Sequence, residues 1–407
     1  SKDFEDMVGI EAHLEKLQSI LHLDDEDEAM IVGICGPAGI GKTTIARALH
    51  CRLSSSFQLT CFMENISGSY PIGLDEYGLK RRLQEQFLSK ILNQVYQYDI
   101  KLLNSHAIPE LRFDQKVLII LDDVDDQQQL EALAKETNWF GPGSRIIVTT
   151  EDKELLEQHC VSCIYRVDFP DEEEARQMFC RYAFNQSSAP AGFEKLVERV
   201  TVLCSNLPLG LSVVGSSLRR KKEDDWESIL RRLENSLNRD IDGVLRVGYN
   251  SLHKDDQFLF LLIACFLNYQ DDDRVKAMLG DSNLDVRLGL KTLAYKSLIQ
   301  ISAQGTISMH KLLQQVAREA VQIQEPTKRQ ILIDIDGIRS ALETDSVSTN
   351  VMGISLDVST IPNVVSIRAG ALKRMLDLRF LSVYETRRDV NVRVNVPEDM
   401  DFPPRLR

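Results

Sequence analysis

The sequence predicts a doubly wound α/β parallel sheet followed by a helical bundle and a winged-helix domain. Three observations carry that expectation. Short apolar runs rich in β-branched residues alternate with helical stretches up to about residue 168, the pattern of a parallel sheet covered on both faces. The strand signal then stops, and helical periodicity takes over. Near residue 300, two short apolar runs flank Gly305 and are followed by another helical stretch, which outlines helices closed by a hairpin wing.

The elements follow in order. Ile10 to Leu23 carries Leu14, Leu17 and Leu21 at helical spacing, and the acidic run Asp24 to Glu28 separates it from what comes next. Met30 to Cys35 reads as a buried strand, then a Gly-rich turn, then a helix from about Thr43 to Leu53. Leu59 to Met63 is a second strand and Leu79 to Tyr96 a long helix. Lys116 to Leu121 is a third strand ending in two aspartates, and Gln127 to Lys135 is helical. Arg145 to Val148 is a fourth strand and Cys163 to Val167 a fifth. Sheets of this kind bind ligands beyond the carboxyl ends of their strands. Helices are expected at Glu172 to Ala183, Gly192 to Cys204, Leu209 to Arg219, Asp225 to Leu237 and Asp240 to Leu252. The apolar run Phe258 to Leu267, helices at Asp272 to Leu279 and Asp285 to Lys296, the hairpin, and a helix from His310 to Ile323 make the third unit. Beyond Glu325 the signal thins to a strand at Val351 to Val358, a short helix at Ile367 to Met375 and a strand at Leu376 to Val383. The expected domains are therefore residues 1–168, 169–253 and 254–325, with 326–407 as a linker.

Composition narrows the function. The formal net charge is −13. That balance argues against a nucleic-acid partner, which needs a clustered positive surface. The runs Lys80-Arg81-Arg82 and Arg219-Arg220-Lys221-Lys222 are short enough to be solvated helix faces. The apolar run at Phe258 is half of a bilayer span, so no membrane crossing is expected. The eight cysteines are scattered, and Cys160 with Cys163 forms one CxxC without a second pair, so zinc is not expected. The opening Ser-Lys-Asp-Phe lacks a secretory leader, which with free thiols reads as an intracellular chain, cytoplasmic or nuclear.

One motif carries chemistry. Gly36-Pro37-Ala38-Gly39-Ile40-Gly41-Lys42-Thr43 fits GxxxxGK[ST] in full, with a strand before it and a helix after. Glycines let backbone N–H groups turn towards phosphate oxygens. Lys42 supplies charge to the β- and γ-phosphates, the Thr43 hydroxyl is placed for Mg²⁺, and the helix N-terminus, with Ile40, Gly41 and Thr44, favours the anion. The chain is thus expected to bind ADP or ATP with Mg²⁺. Asp122, at the end of a buried strand, is the expected Mg²⁺ partner through water. Asp123 is the candidate to orient an attacking water; from the residues alone the two roles are exchangeable.

The motif series resembles a known family. After Gly36–Thr44 come Leu121-Asp122-Asp123-Val124, Gly143 to Thr150, Asn206-Leu207-Pro208-Leu209-Gly210-Leu211 and Met309-His310-Lys311. This is similar to the NB-ARC module of plant nucleotide-binding leucine-rich-repeat immune receptors, from Met7-Val8-Gly9-Ile10 to about Val321. Asp122 to Asp125, Thr150-Glu151-Asp152 and Ile263 to Phe266 look like the subclass that begins with a TIR domain, and the tail from Gly353 looks like the lead into leucine-rich repeats. The resemblance implies a switch in which ADP holds a closed, inactive state and ATP exchange permits assembly into a ring, tetrameric in that subclass. It also implies a pathogen effector recognised by repeats outside this chain, and an NAD-cleaving TIR domain elsewhere in the full protein. Val8 and Gly9 would border the adenine, Pro208 would pack on base or ribose, and His310 would reach the β-phosphate. Read alone, Pro208 is a helix-opening proline and His310 a histidine at a helix start.

Two positions depart from the family pattern. Lys311 stands where the family usually has Asp, and Glu151 where many relatives have an Arg that senses the γ-phosphate. Without that arginine, at most weak ATP hydrolysis is expected. The alternative is a P-loop ATPase that couples turnover to mechanical or remodelling work, which would need an arginine finger. A winged-helix transcription regulator is disfavoured by the charge.

Overall fold

The structure is a computed structural model, and it describes residues 4, 7–24, 27–66, 76–95, 115–159, 161–234, 241–282, 284–325, 329–343, 350–357, 365–366, 372–384, 394–395 and 402–406. The far ends of two expected helices (Tyr96; Asn235 to Leu237), Cys160 and Ile367 to Ala371 lie outside these residues. Two compact units emerge: Ser1–Met178 with Asn206–Leu209, and Phe179–Ser205 with Gly210–Arg407.

The first unit is built on five parallel strands in the order β2-β3-β4-β1-β5: β1 (Met30–Cys35), β2 (Leu59–Met63), β3 (Val117–Leu121), β4 (Arg145–Thr150) and β5 (Cys163–Arg166). The registers place Ile34 beside Thr149, Cys35 beside Thr150 and Leu121 beside Val148. β3 is buried at every residue, and β1 at all but its first. That is why both read as unbroken apolar runs rather than alternating ones. α3 (Glu76–Val95) and α4 (Gln127–Ala134) cover one face, where Leu83, Phe87, Ile91, Leu130 and Leu133 join Cys61 and Ile119 in one core.

α1 (Ile10–Leu21) buries Ile10, Leu14, Leu17 and Leu21 on one stripe. Its last carbonyls have no helical partner, and the fully buried Arg145 supplies the donors. Its Nε donates to the Leu21 carbonyl at 2.6 Å and its Nη2 to the His22 carbonyl at 2.6 Å. Its Nη1 reaches the carbonyls of Glu28 (3.2 Å) and Ser144 (2.9 Å). The expected lead-in helix is thus fastened to the sheet by an arginine on β4. α2 (Lys42–Leu53) follows the phosphate motif, and α5 (Lys153–Gln158), capped by Asp152, follows β4.

The chain enters the second unit within α6 (Glu172–Phe184). α7 (Glu194–Leu203), α8 (Pro208–Leu218), α9 (Glu223–Glu234) and α10 (Ile241–Asn250) form the expected bundle. Its aromatic centre is Trp226, stacked on Phe184 at 5.2 Å and met edge-on by Phe179 and Phe193. The indole N–H is satisfied by the Leu218 carbonyl at 3.1 Å.

α11 (Lys254–Leu262) runs into a π-helical turn (Ile263–Leu267), then α12 (Asp272–Leu279), α13 (Val286–Tyr295), the antiparallel hairpin β6 (Gln300–Ile301) and β7 (Ile307–Ser308), and α14 (Lys311–Ile323). Gly305 turns the hairpin at φ 86°. This is the expected winged-helix order, with shorter strands.

The stretch expected to be a linker carries more structure than its sequence suggests. β8 (Ile331–Leu332), α15 (Ile335–Glu343), β9 (Gly353–Asp357) and β11 (Phe380–Tyr384) are present, together with the short pair β10 (Val365–Ser366) and β12 (Val394–Asn395). Parallel strands in the order β11-β9-β8 bury Ile338, Leu342, Ile354, Leu356 and Leu378. Of the helix expected near Ile367, the described part is a single 3₁₀ turn at Leu372–Arg374.

Candidate nucleotide-binding site

The sheet order decides the site. Because β4 lies between β1 and β3, its last threonines fall between the phosphate loop and the end of β3. The loop runs from Gly36 into α2. Gly39 (φ 78°) and Gly41 (φ 107°) occupy left-handed backbone that strains an L side chain, which explains two of its glycines.

Lys42 is 8% exposed, and its Nζ donates to the carbonyls of Gly36 (2.8 Å) and Pro37 (3.0 Å). The ammonium is thereby held across the mouth of the loop. The Glu151 carboxylate lies 3.8 Å from the same Nζ. Thr43 donates from its hydroxyl to both Asp122 oxygens, at 3.0 and 3.1 Å. Thr149 donates to Asp122 Oδ1 at 2.7 Å and accepts the Asp123 backbone N–H at 2.9 Å. Burial pushes the Asp122 carboxyl above its ordinary range, against the opposing pull of the Thr149 and Thr43 hydroxyls. A buried carboxylate beside a threonine hydroxyl is the donor set of a hard divalent cation, so these residues fit Mg²⁺. Asp123 sits at φ 58° in the left-handed region, where Asp is tolerated better than most residues.

The loop is also touched by the Asn206 to Leu209 segment. The Leu209 N–H donates to the Gly39 carbonyl at 3.2 Å. A Cβ on Gly39 would stand 3.0 Å from Leu209 Cβ and 3.3 Å from Leu207 Cδ2. Pro208 opens α8 at its first position, where its missing N–H costs nothing. Asn206 Nδ2 donates to the Pro170 carbonyl at 3.2 Å. Ser205 and Asn206 are both left-handed, at φ 49° and 54°.

Of the residues singled out in the sequence, the first unit therefore gathers Gly36 to Thr44, Asp122, Asp123 and Pro208. Val8 and Gly9 form the turn into α1, and Gly9 (φ 76°) stands against the Glu174 carboxylate. His310 belongs to the second unit, where it caps α14 by accepting the Leu312 N–H on Nδ1 at 3.2 Å. Sequence reasoning passed over Thr149 as a site residue. The only signal was its place at the end of an apolar strand, and adjacency to Asp122 needs the strand order.

Residues 10–189 match the NB-ARC domain family, and residues 253–325 match the winged-helix domain of Roq1-like disease resistance proteins. The chain carries an NB-ARC domain and the winged-helix domain of Roq1-like disease resistance proteins. It is 60% identical over 406 residues to disease resistance protein RML1A of Arabidopsis thaliana, covering all of this chain and 40% of that protein. It is 56% identical to RML1B over 412 residues, again with all of this chain and 40% of the relative, and 44% identical to TAO1 over 386 residues, with 94% of this chain and 32% of the relative, both from the same plant. The NB-ARC chain thus spans about 40% of the length of these two nearer-length relatives. A solved STAND-type signal transduction ATPase with a tetratricopeptide repeat sensor, from Pyrococcus horikoshii, resembles the NB-ARC chain at TM-score 0.44 and 16% identity, over 81% of this chain and 45% of that one. These two domains make this a nucleotide-binding chain with a P-loop and a winged-helix domain. Among the described residues, no helix is long and apolar enough to cross a membrane.

Proposed function

We propose that this NB-ARC chain is the ADP/ATP switch of a plant immune receptor of the TIR subclass: ADP holds it inactive, and exchange for ATP permits self-association into a ring. The carrying observation is the hydrogen bond from Leu209 to the Gly39 carbonyl. The phosphate loop is tied to the first turn of α8, and the chain passes into the second unit within that helix. A ligand shifts a two-state equilibrium only by binding the states differently. A loop whose backbone carbonyl is shared with an outgoing helix has the means to do so. The two consecutive left-handed residues before it, Ser205 and Asn206, hold about 1–2 kcal/mol each of backbone cost that a rearrangement would release.

Glu151 supports the same reading. A carboxylate 3.8 Å from Lys42 offers a γ-phosphate like charge where the arginine of many relatives would offer attraction. The diphosphate is the better fit, and fast hydrolysis is not expected. Thr43 and Asp122 would hold Mg²⁺, which would screen the phosphate charge; Asp123 would face the attacking water. Val8, Gly9, Pro208 and His310 would complete the nucleotide contacts. Effector recognition, the tetrameric ring and NAD cleavage belong to the longer protein in this reading.

The test is to denature the purified chain and identify the released nucleotide by chromatography beside Lys42→Ala. Stoichiometric ADP from the wild type and none from the variant is the expected result. Rapid ATP turnover with free ADP release would instead favour an ATPase that performs work.

A further inference from the structure

The second unit contains a cavity of about 620 Å³ between the winged-helix elements and the parallel sheet that follows them. That volume is in the range of small-molecule sites. Three basic side chains line it: Lys254 at the start of α11, Arg379 immediately before β11, and Arg405, which is paired with Asp377.

Arg379 is only 6% exposed. Among the described residues its guanidinium makes one hydrogen bond, from Nη2 to the Asp281 carbonyl, and that bond is long at 3.3 Å. The comparison with Arg145 is direct: there a buried guanidinium, 1% exposed, reaches four carbonyls. A guanidinium carries five N–H donors, so most of the Arg379 fork has no acceptor among the described residues, and Arg379 lines the cavity. Among the described residues, neither Arg379 nor Lys254 has a carboxylate within ion-pair distance.

Three acids also line the cavity: Asp255, Asp281 and Asp377. Asp377 is held by Arg405 at 2.8 Å, and the exposed Asp255 sits 3.6 Å from His253. Asp281 presents its backbone carbonyl to Arg379. Burying a cation with a single long hydrogen bond is unfavourable, and a planar or tetrahedral oxyanion taken up by the fork is the group that corrects it. We infer that this cavity is a binding site for a small oxyanion, a phosphate or carboxylate metabolite, with Arg379 as its fork and Lys254 as the second charge. Such a ligand would bridge α11 to the C-terminal sheet and stiffen that junction. The site is independent of the phosphate loop and of the switch proposed for it.

The experiment is calorimetric titration of the whole chain with pyrophosphate and, separately, with citrate. The chain is first saturated with ADP in Mg²⁺-free buffer, and ADP release is followed to exclude exchange at the loop. Saturable one-site binding of at least one probe is expected, and the probe that binds distinguishes phosphate from carboxylate. Arg379→Gln should weaken it by about tenfold or more, the loss of a charge-assisted bond, and Lys254→Gln severalfold. Lys254 is exposed, so its variant decides the matter if Arg379→Gln fails to fold. No saturable binding of either probe up to about 10 mM, or unchanged affinity in every folded variant, overturns the site.

Discussion

The phosphate loop and the C-terminal junction each bury a charged side chain, and they treat it differently. At the loop, Asp122 is surrounded by donors, two threonine hydroxyls from two different segments, and Lys42 by two loop carbonyls. At the junction, Arg379 has one long bond and a cavity before it. The loop is a preorganised site: Lys42 is held by carbonyls of the motif itself, and Thr43 meets Asp122 at the end of β3. The junction is assembled from residues far apart in the chain, among them Lys254, Asp281, Gln330, Met352, Arg379 and Arg405. Closely spaced satisfaction leaves a motif in the sequence; satisfaction from afar does not.

The comparison can be broken most forcefully at Asp122. If its charge is there for a cation, Asp122→Asn should weaken Mg²⁺-dependent ATP binding about 10–100-fold, measured by titration with and without the metal. The same variant reports on burial. Asp122 titrates higher in the folded chain than unfolded, so its stabilising contribution is present below the ordinary Asp value of 3.8 and is lost as pH rises through the folded value. Nucleotide-free Asp122→Asn should lack that decline, as read from urea midpoints across acidic pH. An unchanged pH profile and unchanged metal dependence together would show that Asp122 is merely a hydrogen-bonding group.

A smaller effect sharpens the link between loop and helix. Gly39→Ala places a Cβ 3.0 Å from Leu209 Cβ on a backbone at φ 78°. A cost of about 1–3 kcal/mol is expected, seen as roughly tenfold weaker ADP binding. Leu209→Ala in the same background removes the crowding and should recover part of it. No recovery would mean that the backbone angle alone carries the cost.

The smallest effect belongs to Glu151, whose side chain is 37% exposed and partly screened. Glu151→Gln should raise the ratio of ATP to ADP affinity by about fivefold, measured by competition. A ratio that stays put would remove Glu151 from the account of nucleotide preference.

Much of this was legible beforehand. β1, β3 and β4 are buried on both sides, so their Ile, Val and Leu runs announce parallel strands, and Gly39 and Gly41 sit at positive φ because the turn demands it. The C-terminal sheet was half legible: β9 and β11 were expected, but β8 has two residues, too few for any periodicity, and α15 was missed. Thr149 was quoted within a motif and given no role, since its role follows from which strand neighbours β1.

The chain's residues by themselves determined a phosphate loop, its acidic partner and the succession of sheet, bundle and winged helix, because these depend on spacing along the chain and on local backbone geometry. Tertiary structure alone decided that β4 separates β1 from β3, that Leu209 leans on Gly39, that Glu151 faces Lys42 and that Arg379 meets the Asp281 carbonyl at the edge of a cavity. Each of those is a contact between segments far apart in sequence, and no local propensity encodes which distant group will arrive.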